Sequence, residues 1–256
     1  MKILTIGLFM INSAVSMEFI AHRGLSSEYR ENSSIAIEKA LGRGFEYIEV
    51  DLHRTSDKHI IAIHDYSIDR TTSSKGSVVK LKLSEIKKAD AQVPTLIDVF
   101  EIVQDSKVKL ILEVKNSNNL YPGIEEEIVA SAKKYPKVSV IYKSFSRDVL
   151  DRFHVQDPEA ELLFVTIGKL WKFPLYIDDW LRTGSIFDYK KAKYYQVHKS
   201  FLTKSFVKEA HALNKLVIAW DVQDFKSYTK MRDLGVDIIE TDHPPASLTL
   251  NPNFSK

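Results

Sequence analysis

Two acids one residue apart, Glu49 and Asp51, sit inside the apolar run from Tyr47 to Leu52. The run reads as a β-strand. Strand side chains alternate between faces, so both carboxylates point the same way. Like charges side by side repel, and burying them without a partner is expensive. Something positive must lie between them. A third acid, Glu113, falls in VKLILEVK with Lys115 two residues on, the same spacing on another apolar segment. Glu49, Asp51 and Glu113 form an all-oxygen donor set suited to one hard divalent cation, Mg²⁺ or Ca²⁺. The competing reading of these acids is ordinary ion pairing with Arg23 and Lys115.

His22 and His64 each end a short apolar run. Imidazole titrates near neutral pH, so a pair beside an acidic cluster can give and take protons. Arg23 and Lys115 would face the same cleft, and cations beside a metal suit an anionic phosphate. Together these groups point to phosphoryl chemistry. Positive groups stabilise the developing negative charge while the imidazoles move protons. His198 also ends an apolar run and stays open between pocket lining and packing. His53, His59, His154, His211 and His243 lack such neighbours and are expected on the surface or in packing.

Such chemistry needs elements that bring distant segments to one rim. After Met17, short apolar runs alternate with helical stretches. Strands are expected at Phe19 to Ala21, Tyr47 to Leu52, Lys109 to Val114, 138–142, 161–165, 194–198, 215–220 and 237–241. A further short strand is expected at Ile60 to Ile63. Helices are expected from Ser33 or Ser34 to about Gly42, from Pro94-Thr95 to about Gln104, and over 123–135, 147–156, 203–213 and 224–234. About eight strand–helix steps suit a TIM (β/α)₈ barrel of this length, with the chemistry at the C-terminal ends of the strands. A doubly wound open sheet is the alternative, but no glycine-rich phosphate loop follows any strand. Asp69 to Ala91 is polar and reads as an insertion; 168–190 reads as irregular and aromatic.

Composition narrows the field. The 256 residues are 44% hydrophobic and 27% charged, enough for a substantial core, and no linker divides them. A formal net charge of +2 gives no electrostatic case for nucleic acid or anionic membrane. The absence of cysteine excludes disulfides, thiolate zinc sites, iron–sulfur clusters and a thiol nucleophile. Residues 1–16 carry Lys2, an apolar stretch from Ile3 to Ile11, and Ala14 and Ser16 at cleavage-site spacing. That layout is a secretory signal peptide and implies export, periplasmic or secreted. A translation start at Met17 would instead imply a cytoplasmic protein. No apolar run is long enough for a transmembrane span.

The order AHRG at 21–24, EN at 31–32, EVD at 49–51, HD at 64–65, DRTT at 69–72, VPTL at 93–96, LEVK at 112–115, SF at 144–145, AW at 219–220 and GVDIIETDHP at 235–244 resembles the glycerophosphodiester phosphodiesterases. The likeness runs from about Phe19 to Pro244. It implies a TIM barrel with a small insertion after the second strand, about residues 66–93. It implies that Glu49, Asp51 and Glu113 bind one divalent cation, that His22 and His64 are the general acid and base, and that Arg23 and Lys115 hold the phosphate. In this family a neighbouring substrate hydroxyl attacks phosphorus and expels the alcohol. Water then opens the cyclic product to glycerol 3-phosphate. Trp220 would wall the glycerol end, and Glu31-Asn32 would support the site or contact substrate. Ser144 is a weaker candidate. Asp57-Lys58 and Asp221-Val222-Gln223 depart from the family pattern, the latter beside the substrate.

Three functions compete: hydrolysis of small glycerophosphodiesters, a phospholipase D-type reaction on lysophospholipid or sphingomyelin, and a non-catalytic barrel that binds phosphodiesters. The complete E-x-K strand and DRTT favour the first, and the intact histidine pair argues against the last. Within 169–184, Trp171, Phe173, Leu175, Tyr176 and Trp180 offer an apolar lip for an acyl chain or a membrane surface. A covering for the barrel wall is the favoured reading of that segment.

Overall fold

The computed structural model describes residues 17–169 and 175–255. The leader expected at 1–16, and Trp171 and Phe173 of the aromatic segment, lie outside the described residues.

Among the described residues, eight parallel strands close a barrel. They are β1 (Glu18–Ala21), β2 (Tyr47–Arg54), β3 (Lys109–Val114), β4 (Val140–Ser144), β5 (Glu161–Thr166), β6 (Tyr194–His198), β7 (Leu216–Trp220) and β8 (Ile238–Thr241). β1 pairs with β8 on one side and with β2 on the other, which closes the ring and excludes an open doubly wound sheet. A short strand, Ile60–Ala62, runs antiparallel along the end of β2. The helices are α1 (Ser34–Ala40), α2 (Leu83–Ala89), α3 (Leu96–Val103), α4 (Ile124–Ala132), α5 (Arg147–Gln156), α6 (Lys204–Ala212), α7 (Phe225–Leu234) and α8 (Pro245–Leu250). None is long and apolar enough to cross a membrane.

Strand alternation divides each strand between two cores. Ile48, Val50 and Leu52 of β2, with Leu110 and Leu112 of β3, join the large core beneath the helices. Ile20, Tyr47, Ile111, Ile141, Leu163, Tyr194, Ile218 and Ile238 form a second core inside the ring. Two residues further along, the same inward face turns polar: Glu49, Glu113, Lys143, Gln196 and Glu240 are all buried. The barrel is therefore apolar at its base and ionic at the C-terminal ends of its strands.

Four segments differ from the expectation. β4 begins at Val140 rather than 138, because Val138 N–H still bonds the Tyr135 carbonyl in the turn that ends α4. The insertion is no loose loop. It carries α2, and its Ile68, Val78, Ile86 and Val93 form a small core with Ile61 and Ile63 at the added strand. The described part of 168–190 holds a three-stranded antiparallel sheet, Gly168–Lys169, Leu175–Ile177 and Leu181–Thr183. Tyr176 is buried there against Arg147, so it belongs to packing and not to an apolar lip; Trp180 is 60% exposed. Helix α8 follows Pro244 and was not expected.

The turn after β1 places two residues in the left-handed region, Arg23 at φ 58° and Gly24 at φ 79°. A Cβ on Gly24 would lie 2.7 Å from the carbonyl carbon of Ala36 and 2.8 Å from its oxygen. Both the backbone conformation and the close approach exclude a side chain. Gly24→Ala is expected to destabilise the protein by about 2 kcal/mol or more. A lowered urea midpoint with an unchanged m-value would register it; an unchanged midpoint would contradict it.

Candidate active site

The Arg23-Gly24 turn aims two groups of the β1 loop at the barrel mouth. His22 Nδ1 lies 2.8 Å from Asp242 Oδ1, just beyond β8, and Ser26 Oγ donates to the same oxygen at 3.0 Å. His64 follows the added strand, with Nδ1 2.7 Å from Asp65 Oδ1. Arg70 of the insertion donates from Nε to Asp65 Oδ2 at 2.7 Å and forks onto both oxygens of Glu31 at 2.7 and 2.8 Å. Each imidazole is thus held through Nδ1 by a carboxylate, which fixes the ring and presents Nε2 on its opposite side. Both rings line one cleft of about 160 Å³, together with Arg23, Lys115 and Trp220.

Glu49 and Asp51 of β2 and Glu113 of β3 each offer an oxygen within 4.8 Å of the others. Asp51 and Glu113 are register partners on the adjacent strands. An ion with oxygens at roughly 2.0–2.6 Å spans opposite ligands about 4–5 Å apart, so one divalent cation fits the set. The ion-pair reading is also populated. Lys115 Nζ lies 3.0 Å from Asp51 and 3.5 Å from Glu113. Arg23 donates its backbone N–H to Glu49 at 3.0 Å and places Nε 3.3 Å from Asp51, a Coulombic contact too poorly aligned for a hydrogen bond. Lys143 adds contacts of 3.1 Å to Glu49, 3.0 Å to Glu113 and 2.8 Å to Glu240. The buried cluster holds four carboxylates, Glu49, Asp51, Glu113 and Glu240, against three fixed cations, Arg23, Lys115 and Lys143.

The protonation states follow from these neighbours. Burial alone would lower the His22 pKa, but Glu240, the Asp242 hydrogen bond and Glu49 outweigh it and lift it to about 9. Burial lowers that of His64, and Lys115 and Arg23 add to this against Asp51 and the Asp65 bond. Neutral pH therefore finds His22 charged and His64 neutral. Burial pushes the Glu49 carboxyl up to about 7, helped by Asp51 and Glu240 and opposed by Lys143. Asp51 goes the other way: Lys115, Arg23 and His64 overcome its burial and hold it well below the usual carboxylate range.

The remaining candidates separate into pocket and support. Trp220 lines the cleft, donates Nε1–H to the Thr166 carbonyl at 3.3 Å and meets Phe145 edge-on. His198 packs edge-on against Trp220, with ring centroids 5.1 Å apart. Asn32 supports the site: its Nδ2 donates to Asp51 Oδ2 at 2.8 Å while Oδ1 accepts from Asp51 N–H at 3.1 Å. Glu31 grips Arg23 at 2.9 Å. Ser144 donates to the Val114 carbonyl and serves the β3–β4 junction. His53 is fully buried between the Tyr121 hydroxyl and the His64 carbonyl, a packing residue that also steadies His64. Lys143, Gln196 and Glu240 also belong to the site, although none is among the candidates drawn from the sequence. Stepping two residues along the inward face from Ile141, Tyr194 and Ile238 would have found all three.

The profile of the glycerophosphoryl diester phosphodiesterase family matches residues 22–246. A glycerophosphodiester phosphodiesterase of Caldanaerobacter subterraneus subsp. tengcongensis is 31% identical over 90% of this chain and 96% of its own length. One from Bacillus altitudinis is 32% identical over 91% and 97%. Among solved structures, an Oleispira antarctica phosphodiesterase in complex with the product sn-glycerol-3-phosphate superposes with a TM-score of 0.74. It is 24% identical and covers 89% of this chain and 93% of that one, a likeness of fold.

Proposed function

The chain belongs to the glycerophosphoryl diester phosphodiesterase family, and from that premise we propose that it hydrolyses small glycerophosphodiesters to glycerol 3-phosphate and an alcohol. The observation that carries the proposal is the pair of carboxylate-anchored imidazoles, His22 on Asp242 and His64 on Asp65, on one cleft with the acidic triad. Their opposite protonation states give them distinct work. Neutral His64, its Nδ1–H held by Asp65, has its Nε2 lone pair available as general base. It takes the proton of the substrate hydroxyl next to the phosphodiester, and the hydroxyl oxygen bonds to phosphorus. The bond from phosphorus to the leaving alcohol breaks, and charged His22 gives that alcohol its proton. In the second half, water loses a proton to His22 and attacks phosphorus. The ring oxygen leaves and recovers the proton from His64.

Arg23 and Lys115 would position the phosphate. Glu49, Asp51 and Glu113 would hold one divalent cation, Mg²⁺ or Ca²⁺, which when bound supplies positive charge to the phosphoryl oxygens. The cleft is well below the roughly 300 Å³ at which drug-sized pockets begin. It suits a glycerophosphoryl group and leaves the alcohol toward solvent.

The deciding experiment is a panel of glycerophosphocholine, glycerophosphoethanolamine and their lyso forms with added Mg²⁺ or Ca²⁺, read as glycerol 3-phosphate release. Turnover of the deacylated substrates supports the proposal. Turnover of only the acylated ones would favour the phospholipase D-type reading, and none at all would favour a binding barrel. In the same assay kcat/KM should rise with pH on the acid side, where His64 loses its proton, and fall on the alkaline side, where His22 loses its own. A profile flat across that alkaline limb would count against His22 as the acid.

A further inference from the structure

Lys143 has no part in the reaction above, yet it touches two of the three acids offered to the cation. Its Nζ lies 3.1 Å from Glu49 Oε1 and 3.0 Å from Glu113 Oε2. Glu240 Oε1 holds it from the third side at 2.8 Å, and Gln196 Nε2 pins the other oxygen of Glu240 at 2.6 Å. The Lys143 side chain is 3% exposed. A lysine tethered at this depth cannot swing to solvent when an ion arrives, as a surface lysine would.

This commits one oxygen of Glu49 and one of Glu113. The other Glu49 oxygen accepts the Arg23 backbone N–H at 3.0 Å, the other Glu113 oxygen lies 3.5 Å from Lys115, and the Asp51 oxygens are shared among Asn32, Arg23 and Lys115, so each acid can meet an ion through one oxygen at most. Ca²⁺ takes six to eight oxygens at 2.3–2.6 Å and commonly uses carboxylates bidentately. Mg²⁺ demands a near-octahedral shell at 2.0–2.1 Å, takes few protein oxygens and keeps the rest for water and phosphate. A triad restricted to one-oxygen contacts matches the smaller ion.

We propose that Lys143, braced by Glu240, sets the cation preference of this site: it denies Glu49 and Glu113 a two-oxygen grip and so favours Mg²⁺ over Ca²⁺. The inference rests on the cation reading of the triad given above. A lysine acting only as a counter-charge would weaken both ions alike. A lysine that locks oxygens changes their ratio.

Titration calorimetry of the intact protein with MgCl₂ and CaCl₂, at fixed pH and ionic strength, separates the two. The variants are Lys143→Met and the double substitution Lys143→Met/Glu240→Gln. The second removes the carboxylate that the first leaves unpaired and restores the charge balance. Wild type should bind Mg²⁺ more tightly, and both variants should shift the Mg²⁺ to Ca²⁺ affinity ratio toward Ca²⁺ by about tenfold, the scale of a lost outer partner. Melting curves with each ion should shift in the same order. A wild type that prefers Ca²⁺, or a double variant that binds both ions at the wild-type ratio, overturns the role given to Lys143 and leaves the triad reading standing. A wild type that binds neither ion removes the triad reading itself, and this inference with it.

Discussion

His64→Ala is expected to lower kcat by about 10²–10⁴-fold, the usual worth of a positioned general base, with little change in melting temperature. The two halves of this expectation have separate grounds. The His64 side chain is about one-third exposed and its ring is held by Asp65 at the cleft edge, so its removal opens no core cavity. Its loss leaves the substrate hydroxyl with no group to take its proton. The acid-side limb of the pH profile should vanish in the variant, because the group that titrates there is gone. Steady-state kinetics beside a thermal melt would decide the matter. A variant keeping more than about a tenth of wild-type kcat, well short of the general-base range, would remove His64 from the proton-transfer role.

Chelation should have a comparable effect. Stripping divalent cations is expected to reduce turnover by about 10²-fold or more, and added cation should restore it. The reasoning is electrostatic. Arg23 and Lys115 are already engaged by Glu31, Asp51 and Glu113, so without a further positive charge they are poorly placed to neutralise an anionic phosphodiester. Asp51→Asn provides the matching variant. It should have low activity that added cation does not rescue, and its fold should weaken because Arg23 and Lys115 lose their shared partner. An enzyme indifferent to chelator would contradict the cation reading, and rescue of Asp51→Asn by modest cation would exclude Asp51 as a ligand.

The barrel was legible because its strands are long enough to show both a buried outer face and a two-residue rhythm inside. Glu49, Asp51 and Glu113 could be grouped by that rhythm alone. Lys143, Gln196 and Glu240 obey the same rhythm, but they stand on three strands far apart in the chain. Only closure of the ring, with β1 beside β8, shows that they meet. The small core of the insertion escaped notice because Ile68, Val78 and Ile86 are spread without a helical or strand period. The antiparallel sheet at 168–183 is built from strands of two and three residues, too short for any period to register. The carboxylates that orient the imidazoles are a different case. Asp65 adjoins its histidine in the chain, whereas Asp242 lies 220 residues from His22 and needed the fold to reach it.

Arg70 gives the excursion between the second and third barrel strands a meaning beyond decoration. Its guanidinium ties that excursion to Glu31 on the first loop and to Asp65 beneath the base. Trimming the excursion to obtain a minimal scaffold, or exchanging it with that of a relative, would unmoor the very imidazole on which turnover is expected to depend. Its length can drift in evolution only as long as one guanidinium still reaches both anchors.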